Sequence, residues 1–243
     1  MPIERLILPE RASRDYSVLA NACGWLGIDV LWIDRFSLDG LPLDCPLDGT
    51  ALHGGTTFCR EVAATLGGQV LEPPDDFLPS LPENLRKRQV ELTTLTEARS
   101  RTDLRFVKPV NDKFFTAGVY EWPDDIPRTD KGDEIAVLVA DPVTWLVEYR
   151  LFVLDGAIKA ISPYLWAEAD RPDLSTQTEA VTFGASVLDE AGALLPRAVV
   201  VDVGIIDGAG WAVVEANTAV MSGIYDCEPE AVLEVIAAGM EPV

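Results

Sequence analysis

Asp202, Glu215 and Asn217 are three oxygen-bearing side chains set inside two apolar runs, residues 199–206 and 211–217. A carboxylate in a buried Val-rich strand is costly unless it faces solvent, pairs with a base or binds a cation. Glu215 and Asn217 stand two positions apart, so on a strand they share a face. The turn signal Asp207-Gly208-Ala209-Gly210 between the runs predicts a hairpin that sets Asp202 beside them. Such a set offers hard oxygen ligands without Cys or His, which suits magnesium shared with substrate phosphates. The alternative is an ordinary amphipathic hairpin whose three polar residues face solvent.

The elements that must position these residues belong to a chain of 243 residues, 48% of them hydrophobic, enough for a substantial core. Forty acidic against 19 basic residues give a net charge of −21, which opposes nucleic-acid or anionic-membrane partners. Cys23, Cys45, Cys59 and Cys227 form no close pair and there is one His, which argues against a zinc site or a disulfide framework. The first residues carry no basic region followed by an apolar core, and no apolar run reaches membrane-spanning length, so a cytoplasmic location is expected. Monomer and dimer both remain open.

The N-terminal third reads as strand, helix, strand: Leu6-Ile7-Leu8, a helix over 16–26 stopped at Gly24 or Gly27, then 28–33, the order of a small parallel sheet. Ala51-Leu52-His53-Gly54-Gly55-Thr56-Thr57 precedes a helix over 58–66. It either presents backbone amides to an anion or is a turn with a Thr N-cap, and His53 reads as a structural donor. Pro73, Pro74, Pro79 and Pro82 among acidic residues give 71–85 the composition of a linker, which separates an N-terminal α/β domain, 1–80, from the region 81–243. Arg86-Lys87-Arg88 then reaches a phosphate or forms a solvated helix face.

Residues 104–110 read as an apolar strand with one inward-capable lysine, Lys108, which either meets an anion such as polyphosphate or snorkels to solvent. After a polar loop over 121–133 come strands over 134–140 and 148–153. Glu148 and Arg150 share a face of the latter, so Arg150 holds a phosphate or carboxylate in its planar fork or pairs with Glu148 itself. A strand over 157–162 follows, then irregular Pro163-Tyr164-Leu165-Trp166, whose aromatics suit a pocket or the core. A capping box at Thr176-Gln177-Thr178-Glu179 opens a helix carrying Val181, Ala185 and Leu188, and Pro229 opens the last one.

Asp202 with Glu215-x-Asn217 resembles the metal signature of the ATP-grasp superfamily, and the upstream segments resemble that family in the same order from about residue 85 onward. The likeness is to a clade of short bacterial and phage-associated members. It implies an α+β ATP-grasp fold in which two α+β lobes, at about 102–147 and 148–243, clasp ATP behind a small parallel α/β domain. It also implies two magnesium ions, one on Asp202 and Glu215 and a second on Glu215 and Asn217. Lys108 carries over to the lysine on the α- and β-phosphates, and Lys113 and Gly118, more loosely, to the closing loop. Asp141, in place of the commoner Glu, and Val143 carry over to the adenine hinge, and Glu148 to the ribose contact. Many members place an Arg two residues before the metal Asp where this chain has Val200, so Arg150 and Lys159 are expected to stabilise the transferred phosphoryl. The implied activity is ADP-forming ligation of a small carboxylate or peptide to an amine through an acyl phosphate. A phosphotransferase acting on a hydroxyl and a non-catalytic nucleotide-binding protein are the alternatives.

Overall fold

Leu6, Ile7 and Leu8 are fully buried in β1 (Arg5–Pro9), the middle strand of a parallel three-stranded sheet of order β2, β1, β3, whose outer strands are β2 (Asp29–Ile33) and β3 (Thr50–Leu52). The computed structural model describes residues 3–42, 44–110, 114–167 and 172–243. Between the first two strands runs α1 (Arg14–Leu26), which ends at Gly27 because that residue takes a left-handed φ of 71° that side chains resist. After β3 come α2 (Thr56–Thr65), β4 (Gly68–Val70) and the short helices α3 (Phe77–Ser80) and α4 (Glu83–Arg86). The segment expected as a linker is therefore ordered. Phe77, Leu78, Leu81 and Leu85 are buried in the core beneath the C-terminal sheet, so their apolar burial overrides the Pro and Asp composition around them.

A second sheet, antiparallel and of order β5, β8, β6, β7, is built from β5 (Val90–Thr94), α5 (Leu95–Arg99), β6 (Arg105–Pro109), β7 (Gly118–Tyr120) and β8 (Ala136–Ala140). The third is antiparallel too, of order β10, β9, β11, β12. Its elements are β9 (Trp145–Leu154), β10 (Ala157–Trp166), α6 (Leu174–Ala191), β11 (Ala198–Ile206) and β12 (Gly210–Asn217). Helix α7 (Pro229–Ala237) and β13 (Met240–Pro242), which pairs with β4, complete the chain.

Alternation divides the third sheet into two faces. Val199, Val201 and Val203 with Leu151 and Val153 pack on Ala180 and Val187 of α6. Phe152, Ala160, Ala198 and Val200 pack on α7 and on the N-terminal sheet, so those elements share one core. Three local expectations are corrected. Strand β10 runs on through Pro163-Tyr164-Leu165-Trp166, absorbing Tyr164 as a bulge. Helix α6 begins earlier than the capping box, because Asp173 accepts from the Thr176 amide and takes the cap. Its buried stripe is Ala180, Gly184, Val187 and Ala191, one position ahead of the expected Val181, Ala185 and Leu188.

Candidate functional site

One row of residues crosses the third sheet at the same level. Ser162 of β10 pairs with Arg150 of β9, Arg150 with Asp202 of β11, and Asp202 with Glu215 of β12. The hairpin expected from the turn signal thus forms in a register that sets Asp202 against Glu215, with Asn217 opposite Val200 on the same face. Asn217 Nδ2 donates to Glu215 Oε1 at 2.8 Å and to Asp202 Oδ2 at 3.2 Å, which binds the three into one cluster.

Arg150 meets Asp202 as a two-pronged fork, Nε to Oδ1 at 3.0 Å and Nη2 to Oδ2 at 2.6 Å, and its Nη1 reaches the Gly223 carbonyl at 3.1 Å. Its partner is therefore Asp202 and not Glu148 on its own strand. Burial works to lower the Arg150 guanidinium, and Asp202 more than offsets this, so its pKa lies above the ordinary value. Full burial pushes the Asp202 carboxyl up to about 6, against the attraction of Arg150. The rings of Tyr164 and Tyr225 stack 5.0 Å apart, and the guanidinium carbon lies 5.3 and 5.1 Å from their centres.

Lys108 projects from β6 across the gap between the second and third sheets and ion-pairs with Glu215. Burial works to raise Glu215, but Lys108 and the hydrogen bonds from Lys108 and Asn217 hold it below the usual carboxylate value. Two cavities meet at this pair. One, of about 260 Å³, lies between the sheets and is lined by Phe106, Leu138, Asp141, Val143 and Trp145, with Lys108 and Glu215 at its edge. Its hinge is fixed by Asp141, whose carboxylate accepts from the Gln89 amide at 2.9 Å while its own amide donates to the Gln89 carbonyl. The other cavity, of about 950 Å³, takes in Lys108, Glu215, Asn217, Arg150, Tyr164 and Thr56 at the start of α2, with Phe114 to Ala117 on one side.

Most of the residues singled out in the sequence are brought together here: Lys108, Asp141, Val143, Arg150, Asp202, Glu215 and Asn217. Glu148 lies in the same sheet but is buried and lines neither cavity. Its carboxylate accepts from the Tyr164 hydroxyl, and burial raises its pKa. Lys159 is not brought to the site, because it is the extra residue of a β10 bulge near the Asp155-Gly156 turn and pairs with Glu234 of α7 at 3.3 Å. Lys113 lies outside the described residues. The cap of α2 is Gly55, not a threonine, and Thr56 faces the larger cavity. Sequence reasoning passed over Tyr225 entirely and left Arg88, Trp145 and Tyr164 without a place at the site. Arg88 alone had a signal, as part of the densest basic cluster in an acidic chain.

As magnesium ligands the donors divide. Glu215 and Asn217 line the larger cavity and fit the role, the Glu215 side chain being 28% exposed. Asp202 is fully buried and both its oxygens accept from Arg150, so it reaches an ion in the cavity only by giving up part of that fork.

Two α+β lobes enclosing a base-sized apolar slot, with a lysine and a glutamate at the mouth where polyphosphate would leave it, define an ATP-grasp fold. Residues 85–235 match a family described as an ATP-grasp domain, the second family of its clade, and the chain belongs to that family. Among solved structures the fold is similar to D-cycloserine synthetase DcsG (TM-score 0.56, 15% identity, 96% of this chain and 98% of that one). It is similar to a RimK domain ATP-grasp protein from Sphaerobacter thermophilus (0.53, 16%, 97% and 96%) and to D-alanyl-alanine synthetase A from Vibrio cholerae (0.51, 10%, 98% and 99%). At these identities the likeness is one of fold. No curated protein matches the chain.

Proposed function

We propose that this protein is an ATP-dependent, ADP-forming ligase that joins a carboxylate to an amine. The observation that carries the reading is the meeting of the two cavities at Lys108 and Glu215. The smaller one has the size and apolar lining for a nucleobase against the 141–145 hinge, and the larger leaves room for a second substrate beside the phosphates. The family and the ligase names borne by the DcsG and Vibrio cholerae structures agree with this chemistry.

In the proposed reaction a substrate carboxylate oxygen attacks the γ-phosphorus of ATP and ADP leaves. An amine then attacks the acyl carbon of the mixed anhydride, inorganic phosphate leaves and the amine loses a proton. Phosphoryl transfer depends chiefly on positioning and on charge stabilisation. Lys108 exchanges Glu215 for phosphate oxygens, which frees the glutamate towards the cavity. Arg150 spends three N–H groups on Asp202 and Gly223 among the described residues, and a guanidinium carries five, so two remain for the oxygens of the group in flight or of the carboxylate. Magnesium, held by Glu215 and Asn217, would supply neutralisation of phosphate charge there.

The test is ADP release in the presence of magnesium, screened over amino acids and short peptides. Release that needs both a carboxylate and an amine, with a new amide by mass, is expected. A stable phosphorylated hydroxyl with no amide, or ATP turnover indifferent to carboxylates, would contradict the proposal.

A further inference from the structure

The β11–β12 ladder slips by one residue beside the site. Asp202 pairs with Glu215 but Val203 pairs with Val213, which leaves Val214 as an extra residue. The consequence follows from the period of a strand. In an unbroken ladder Val213 and Glu215 would share a face, and Val213 lies in the core against α6. The bulge turns Glu215 to the opposite face, that of Asp202, where it meets Lys108 and the cavity. Successive carbonyls of a regular strand also point to opposite edges. At the bulge, however, both neighbouring carbonyls turn to one guanidinium: Arg88 Nη1 donates to Val213 O at 2.8 Å and Nη2 to Val214 O at 3.0 Å. Arg88 is held in turn by the Arg86 carbonyl at 3.0 Å and by the Trp145 ring, 5.0 Å away.

The geometry points to Arg88 as a positioning residue that fixes the Val214 bulge and so aims Glu215 at the magnesium–nucleotide. This rests on the nucleotide reading proposed above. Arg88 acts through the backbone next to the ligand, and its planar fork is what the two carbonyls require. A lysine keeps the charge but cannot hold both in that geometry. Burial pushes Arg88 down to about 10, against Glu148 and Glu215 nearby, so it remains a cation at neutral pH.

The experiment is a double-mutant cycle on the full chain, read by calorimetric binding of a magnesium complex of a non-hydrolysable ATP analogue to wild type, Arg88→Lys, Glu215→Gln and the double variant. Arg88→Lys is expected to weaken binding about tenfold in the wild-type background and less than about twofold once Glu215 is replaced, because the lost interaction is then already absent. Adenosine, which lacks phosphates, should bind Arg88→Lys as it binds wild type. Arg88→Gln repeats the cycle without the charge, and circular dichroism verifies that each variant is folded. A loss of equal size in both backgrounds, or an equal loss of adenosine affinity, would show that Arg88 acts on the base cavity directly and would overturn the inference alone. A wild type that binds no nucleotide overturns the nucleotide reading and this inference with it.

Discussion

Arg150 holds Asp202 from the neighbouring strand, with both carboxylate oxygens engaged and the pair buried beneath Tyr164 and Tyr225. Val200, where many ATP-grasp members carry an arginine, is packed in the core shared with the N-terminal sheet. The cation of this site therefore enters from β9, directly across the ladder from the aspartate.

Breaking that pair from one side leaves a buried charge. Arg150→Met is expected to destabilise the protein by about 3–5 kcal/mol. The double variant Arg150→Met, Asp202→Leu should recover most of the loss, since neither charge is then stranded. Urea denaturation of the three proteins measures this, and additive losses would show that the two side chains do not act as a unit.

Lys108 should matter to phosphate and not to the base. Lys108→Met removes one charge-assisted contact, a loss of about 1.5–3 kcal/mol, or roughly ten- to a hundredfold in affinity for the ATP analogue. Adenosine binding should stay within about twofold of wild type. Equal weakening of both ligands would place Lys108 at the base instead.

His53 sets a pH dependence of stability. It is 3% exposed, packs edge-on to Tyr16 at 5.6 Å, and its Nδ1 has no partner among the described residues. Burial pushes its pKa from 6.5 down to about 4, although Asp15 and a hydrogen bond with the Val220 backbone work the other way. A group whose folded pKa is depressed contributes stability that is present above its unfolded pKa and lost as pH falls towards the folded value. Between about pH 7 and pH 4 the wild type should lose about 3 kcal/mol more than His53→Gln. Parallel stability profiles for the two proteins would contradict this.

Gly204 tests the close passage of β11 over the hinge. A Cβ there would stand 2.5 Å from the Val147 carbonyl oxygen and 2.9 Å from the Trp145 ring. Gly204→Ala should cost about 1–3 kcal/mol in thermal or urea unfolding, and should weaken adenosine binding because Trp145 lines the base cavity. An unchanged midpoint would mean that the strands give way freely.

What could be read from the sequence was whatever rests on local pattern. The Gly-rich turn fixed the hairpin, and the spacing of Glu215 and Asn217 fixed their shared face. Isolated polar residues in apolar strands marked Lys108, Asp202 and Glu215. What could not be read depends on tertiary packing. The Pro-rich stretch became α3 and α4 because Phe77, Leu78, Leu81 and Leu85 had a sheet to bury against. A bulge leaves no trace in period-2 alternation, so neither the extra Val214 nor the turn of Arg88 towards it was visible. Lys159 looked available only because its partner, Glu234, lies far along the chain.

The measurement that tests the central claim most directly is calorimetric titration of the ATP analogue with magnesium into wild type and Glu215→Ala. A site built where Lys108 and Glu215 meet predicts saturable binding to wild type and its loss or severe weakening in the variant. Absence of binding to wild type, or equal binding to both proteins, would contradict it.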